Sequence, residues 1–243
     1  MLRNSYIHIP SVSYGTEKKI WDSGIDSWDS FDTSKLNLPK LKKNHLKKFV
    51  DLSIESLDKG NYSFFSSLLP RQEHWRCFND FSKIAYLDIE TTGLSKEHDD
   101  ITMIGVYDGS KVKTFINGKN LGSFKKYISN FPMIVTFNGS CFDLPFISSK
   151  FNMKFDQLHI DLRFASKKLG YSGGLKNIEK QCNLKRSDET DGLDGFEAVR
   201  LWHRYLKGDD DSLKLLTKYN SEDVINLEAL GHIVYDGLKE KTF

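Results

Sequence analysis

The pattern of apolar and polar positions changes character once along this chain. Over residues 1–60 apolar side chains recur at helical intervals among polar neighbours. In "GTEKKIWDSGIDSWDSF", Thr16 can cap a helix carrying Ile20 and Trp21, Gly24 fits its stop, and Ser27 or Asp29 can open the next turn. "KLNLPKLKKNHLKK" reads as an amphipathic segment with Leu36, Leu38, Leu41 and Leu46 turned inward. Residues 61–82 read as a connection, broken by Lys59-Gly60-Asn61 and Pro70. From residue 83 strand-like runs appear. "KIAYLDIE" is a strand, "ITMIGVYDG" a second ending in an Asp-Gly turn, and "KVKTFING" its hairpin partner. Helical spacing follows in "LGSFKKYISNF", then a short strand in "MIVTFNG", a helix in "FDLPFISSKF" and a fifth strand in "QLHIDLR". The remainder is helical: "GGLKNIEKQC", "GFEAVRLWHRYL", and a long element from about residue 210 to 232. Periodicity therefore predicts an α/β domain over residues 83–235 with a mixed sheet, a helical extension before it and a tail over 236–243.

Composition narrows the setting. A hydrophobic share of 39% supports a core, yet no apolar run approaches the roughly 18 residues a membrane helix needs. "MLRNSYIHIPS" carries no signal-peptide pattern, and Cys77, Cys141 and Cys182 lack metal-knuckle spacing. The expectation is a cytoplasmic protein with reduced thiols and no membrane partner. A net charge of +2 decides nothing by itself, because basic residues can gather in one patch. Residues 35–48 hold six lysines and no acid, which suits either a solvated helix face or a phosphate-binding surface.

The chemistry begins at "AYLDIETTGLS". Asp88 and Glu90 interrupt an apolar strand and, two residues apart, project to one face. Two carboxylates so close repel unless a cation lies between them, so a divalent-metal site is the economical reading. Hard cations take several oxygen ligands, and two further acids stand in distinctive places. "FNGSCFDLPFI" puts Asp143 just inside a helix, with Asn138 at the preceding turn. "KYNSEDVINLEAL" puts Tyr219 and Asp223 four residues apart on a helix whose Leu215, Leu216, Val224 and Leu227 mark it as packed on the sheet. Other acid clusters read otherwise: Glu97 to Asp100 as a solvated loop, Asp209 to Asp211 as helix capping, and Asp161 as support behind the site.

"DIETTG", "NGSCFD" and "YNSED" together resemble the three motifs of the DEDD exonuclease superfamily, and the tyrosine before Asp223 resembles its DEDDy branch. The surrounding wording is similar to the YprB-type ribonuclease H-like family and to the exonuclease domain of family B DNA polymerases. The resemblance implies a ribonuclease H-like mixed five-stranded sheet flanked by helices. It implies a 3′→5′ exonuclease acting on single-stranded DNA or RNA 3′ ends, with two divalent cations, Mg²⁺ or Mn²⁺, about 3.5–4 Å apart. Asp88 would bridge both ions, Glu90 and Asp223 would complete the first site, Asp143 would hold the second, and Tyr219 would orient the attacking water. Thr91, Thr92, Gly93 and Leu94 would meet the terminal nucleotide, while Asn138 and Phe142 would contact its sugar or base. Phe142 also has core spacing with Phe146. Lys176 in "SGGLK" is either a phosphate seat or an ordinary helix start. Residues 1–60 loosely resemble a helix-hairpin-helix, with Ser13-Tyr14-Gly15 at the turn. Two other readings stay open: a catalytically inactive nucleic-acid-binding module, and a structure-specific or RNA-trimming nuclease on the same site.

Overall fold

The computed structural model describes residues 1–243, which divide into two compact units, Met1–Ser82 with Asp156–His159 and Lys83–Phe155 with Ile160–Phe243. In the first unit a 3₁₀ turn at Leu2–Asn4 precedes α1 (Tyr14–Asp22), α2 (Lys40–Asp58) and α3 (Tyr62–Leu68), and a 3₁₀ stretch follows at Arg71–Cys77. Ser13, rather than Thr16, caps α1, its Oγ accepting from the Thr16 amide at 3.2 Å. Gly15 thus lies in the first turn of α1, and only the 3₁₀ turn stands before it, so the two helices of a helix-hairpin-helix are not formed there. Gly24 does stop α1, with φ +74° and its amide on Trp21 O at 2.8 Å. No helix opens at Ser27 or Asp29, because Ser27 and Ser30 bond each other's amides through their hydroxyls instead.

The expected connection over 61–82 is largely helical. Asn61 caps α3 and Phe65, fully buried, stacks on Trp28 at 6.1 Å, so tertiary burial stabilises a helix too short to stand alone. Leu36 and Leu46 are buried as expected, whereas Leu41 is 84% exposed at the first turn of α2. At the centre of this unit Arg76 is 1% exposed, donating to Glu73 Oε2 at 2.7 Å and to Glu17 Oε1 at 2.8 Å. The same Glu17 oxygen accepts the amides of Tyr6 and Ile7 at 2.6 and 3.0 Å. Glu17→Ala would strand a buried guanidinium and two amides, and should lower the denaturant-unfolding free energy by about 3–5 kcal/mol. A loss under ~1 kcal/mol would show that the cluster is not a keystone of this unit.

The second unit contains β1 (Ile84–Thr91), β2 (Ile101–Tyr107), β3 (Val112–Ile116), α4 (Phe124–Ile128), β4 (Met133–Thr136), α5 (Asp143–Phe151), α6 (Leu162–Lys167), α7 (Leu175–Gln181), α8 (Gly195–Leu206) and α9 (Asp210–Thr242). With β5 (Leu158–Asp161) the strands form one five-stranded sheet in the order β3-β2-β1-β4-β5. The β1–β2–β3 meander is antiparallel, and β4 pairs with β1 in parallel. This is the mixed, helix-flanked sheet of a ribonuclease H-like fold. Alternation along the strands decides what covers each face. Leu87, Ile89, Ile104 and Val106 pack with Phe124, Ile128, Phe146 and Ile147 on one side. Met103 packs with Ala198, Leu201, Trp202, Leu216 and Tyr219 on the other. Helix α9 does not stop near residue 232, nor at the expected domain end at 235. It runs on to Thr242 with Leu238 buried, so the expected tail is its last two turns.

Candidate metal centre

Strand β4 accompanies β1 only from Ile84↔Met133 to Tyr86↔Val135 and ends at Thr136. The C-terminal half of β1 therefore runs past its neighbour and leaves a ledge carrying Asp88 and Glu90. Asp143, the first residue of α5, fills the side left open, its Oδ1 accepting from the Ile89 amide at 3.2 Å. From the other face α9 brings Asp223, and carboxylate oxygens of Asp88, Glu90 and Asp223 lie within 4.8 Å of one another. Asp143 stands outside that trio but close enough to act on Asp88 electrostatically.

Such crowding is costly. Burial foremost, then the neighbouring carboxylates led by Asp223, holds the carboxyls of Asp88 and Glu90 well above the usual range, and the Asn220 amide opposes the shift in both. Burial pushes Asp143 up to about 7, against hydrogen bonds from backbone amides. It pushes Asp223 up to about 6, against the pull of Arg186. One oxygen of Glu90, Oε1, is buried without a hydrogen-bond partner. Hard oxygen donors, an excess of negative charge and an unsatisfied buried oxygen fit a divalent cation.

Tyr219, one turn before Asp223, is 7% exposed, and burial followed by the surrounding carboxylates raises its phenol above the usual value, so it keeps its proton. The Lys176 ammonium lies 4.7 Å over its ring. Burial, then Arg186, lowers the Lys176 pKa, and Nζ has no hydrogen-bond partner. Lys176 is thus turned toward the tyrosine and the carboxylates.

The loop after β1 is braced from within. Thr91 Oγ1 donates to Gly93 O at 2.6 Å, and Thr92 Oγ1 donates to Asp99 Oδ1 at 3.2 Å while accepting from the Asp100 amide at 2.9 Å. Asp99 and Asp100 are loop braces, the second also paired with Lys150. A Cβ at Gly93 would overlap the Asp99 carboxylate and displace this brace. Leu94 stands 81% exposed beside this loop. Asn138 adopts φ +66°, its amide donating to Asp161 Oδ1 at 2.8 Å and its Oδ1 accepting from Arg163 Nη1 at 2.7 Å. Asp161 also takes the amide and hydroxyl of Ser140 at 2.9 and 2.6 Å, clamping the turn that leads to Asp143. Phe142 is half-buried and packs on Phe146 at 5.5 Å, in line with its core spacing.

Two members of the cluster escaped sequence reasoning. Asn220 is fully buried and donates from Nδ2 to Asp88 Oδ2 at 2.9 Å. Its amide lies against Gly105, which pairs with Asp88 in the β1–β2 register, and a Cβ at Gly105 would overlap it. A lone glycine inside the apolar strand "ITMIGVY" was the available signal of close approach. Arg186, in the loop between α7 and α8, forms an ion pair with Asp223 and a two-pronged one with Glu179 at 2.6 and 2.7 Å. Nothing local in "NLKRSDET" marks it.

A ribonuclease H superfamily model matches residues 85–235. The chain belongs to the ribonuclease H superfamily. Among solved structures it is similar to the family B DNA polymerase from the hyperthermophilic archaeon Pyrobaculum calidifontis. That match has a TM-score of 0.51 and 15% identity, and covers 66% of this chain and 24% of the polymerase chain. At that identity the likeness speaks for the fold alone. No curated protein matches the chain.

Proposed function

We propose that this chain is a metal-dependent 3′→5′ exonuclease of the DEDDy type, hydrolysing phosphodiester bonds at single-stranded or frayed DNA or RNA ends. The observation that carries the reading is the convergence of Asp88, Glu90 and Asp223, with Asp143 against the same strand and one Glu90 oxygen lacking a partner. Superfamily membership agrees with it. Asp88, Glu90, Asp143 and Asp223 would hold two divalent cations, Mg²⁺ or Mn²⁺. When bound, such ions supply positive charge to the phosphodiester and make water a stronger acid. The chain's own groups do the rest. Asn220 sets the Asp88 carboxylate, and Asp161 and Arg163 set the Asn138 turn. Tyr219, kept protonated, offers its O–H to the attacking water. Lys176 brings positive charge beside it, which suits a phosphate. The braced Thr91–Thr92–Gly93 backbone and the exposed Leu94 would seat the terminal nucleotide, with the Leu94 side chain against its base. Water adds at phosphorus and gives up a proton to solvent, the bond to the 3′-oxygen breaks with that oxygen taking a proton from solvent, and a nucleoside 5′-monophosphate leaves the shortened strand with a 3′-hydroxyl.

The test uses 5′- and 3′-labelled DNA and RNA oligonucleotides with Mn²⁺, Mg²⁺ or EDTA. A 5′-labelled strand should shorten stepwise from its 3′ end with either metal and stay intact in EDTA. Undiminished cleavage in EDTA would refute the metal reading, and shortening from the 5′ end would reverse the polarity. Tight oligonucleotide binding without any cleavage would leave a binding module.

A further inference from the structure

We infer that Arg186 is the positioning residue for Asp223: a guanidinium held by Glu179 that fixes the orientation of this carboxylate toward Asp88 and Glu90, and thereby sets the cation affinity of the centre. The inference rests on the metal-centre reading above and adds a residue to it.

Arg186 comes from the loop between α7 and α8, yet its side chain is 5% exposed. A buried guanidinium needs several acceptors in a fixed plane. Nε and Nη2 grip the two oxygens of Glu179 at 2.6 and 2.7 Å, and Nη2 also meets Asp223. Glu179, 1% exposed on α7, is held in turn by Asn226 Nδ2 at 3.0 Å, from the turn of α9 after Asp223. The fork is thus gripped by two carboxylates at once, and Oδ1 is the Asp223 oxygen it meets. The loop itself is strapped to α9: Ser187 Oγ donates to Glu222 Oε1 at 2.6 Å, and Thr190 reaches the other oxygen of Glu222. The segment carrying Arg186 is therefore tied to the same helix that carries Asp223. Nη1, bonded to the same carbon as Nη2, is buried with no partner.

Groups that orient a metal's carboxylate ligands typically change metal affinity by about 10–100-fold when removed. The test measures Mn²⁺ affinity of the full chain by electron paramagnetic resonance of free Mn²⁺, with melting in EDTA as the check on folding. Arg186→Gln leaves Glu179 as a lone buried charge, so the decisive variant is the pair Arg186→Gln with Glu179→Gln, in which neither charge is stranded. Both should fold and bind Mn²⁺ about 10–100-fold more weakly than wild type. Arg186→Lys, which keeps the charge and loses the planar fork, should recover only part of that loss. Wild-type or tighter affinity in the paired variant would overturn the inference, since Arg186 would then merely compete with the cation for Asp223. Full recovery by lysine would overturn it too, reducing the role to charge alone. A wild-type protein that binds Mn²⁺ but cleaves no oligonucleotide would sink the nuclease reading and leave this inference standing.

Discussion

Asp88→Asn should cut oligonucleotide cleavage by about 10²–10³-fold and at the same time raise the melting temperature measured in EDTA. Both halves follow from one arrangement. Asp88 is the member acted on by all three other acids, Asp223, Glu90 and Asp143, and it takes the Asn220 donor at 2.9 Å. On the proposed reading, removing its charge takes away the central ligand, and loss of one pre-organised electrostatic group costs on the order of 10²–10³ in rate even where others remain. Without metal the same charge is a liability, because it is desolvated among like charges. Asparagine keeps an oxygen to accept from Asn220, so packing is preserved. Relief of about 1 kcal/mol would raise the melting temperature by roughly 2–4 °C for a chain of this size. Cleavage near the wild-type rate, after purification that excludes contaminating nuclease, would remove Asp88 from the centre. A lowered melting temperature in EDTA would refute the electrostatic account of the ledge.

The second large effect is a stability profile whose slope depends on metal. Asp143 and Asp223 have ordinary values of 3.8 that rise to about 7 and about 6 in the folded chain. The folded protein therefore prefers their protonated forms. Their contribution to stability is complete below about pH 4 and is lost as pH rises through 6 and then 7. Metal-free protein should lose this stabilisation between about pH 4 and pH 7, amounting to several kcal/mol at most. The buried imidazoles of His8 and His74 are held down to about 3 and about 4 by burial and act in the opposite sense. The informative comparison is consequently wild type against Asp143→Asn with Asp223→Asn. In EDTA the gap between them should widen in favour of the variant as pH rises. Saturating Mn²⁺ should narrow it by stabilising wild type only, since a ligand at 100 times its dissociation constant adds about 2.7 kcal/mol. Parallel melting curves for the two proteins across this range, with and without Mn²⁺, would show that the carboxylates neither repel nor share a cation.

Much of this centre was legible in the chain because its parts are written locally. A strand that alternates Leu87 and Ile89 with Asp88 and Glu90 announces two carboxylates on one face. Tyr219 and Asp223 on a helix with Leu216 and Val224 must look the same way as that apolar stripe. Element order in the α/β half followed from the same periodicities. Local patterns misled where tertiary burial overrides them. The helix at Tyr62–Leu68 depends on Phe65 reaching Trp28, and α9 continues to Thr242 because Leu238 finds a buried place.

By itself, then, the sequence determined which acids this protein carries into its sheet and on which faces they stand, since strand and helix periods are properties of a few consecutive residues. Only the tertiary structure decided what holds those acids. Asn220 reaches Asp88 because Gly105 leaves room for it, and Arg186 reaches Asp223 because Glu179 and Asn226 anchor it. The two contacts to the acids join residues far apart in the chain, 37 positions from Arg186 to Asp223 and 132 from Asp88 to Asn220. No short-range pattern encodes such meetings, because the cost of stranding a buried charge is set by whatever the finished fold places next to it.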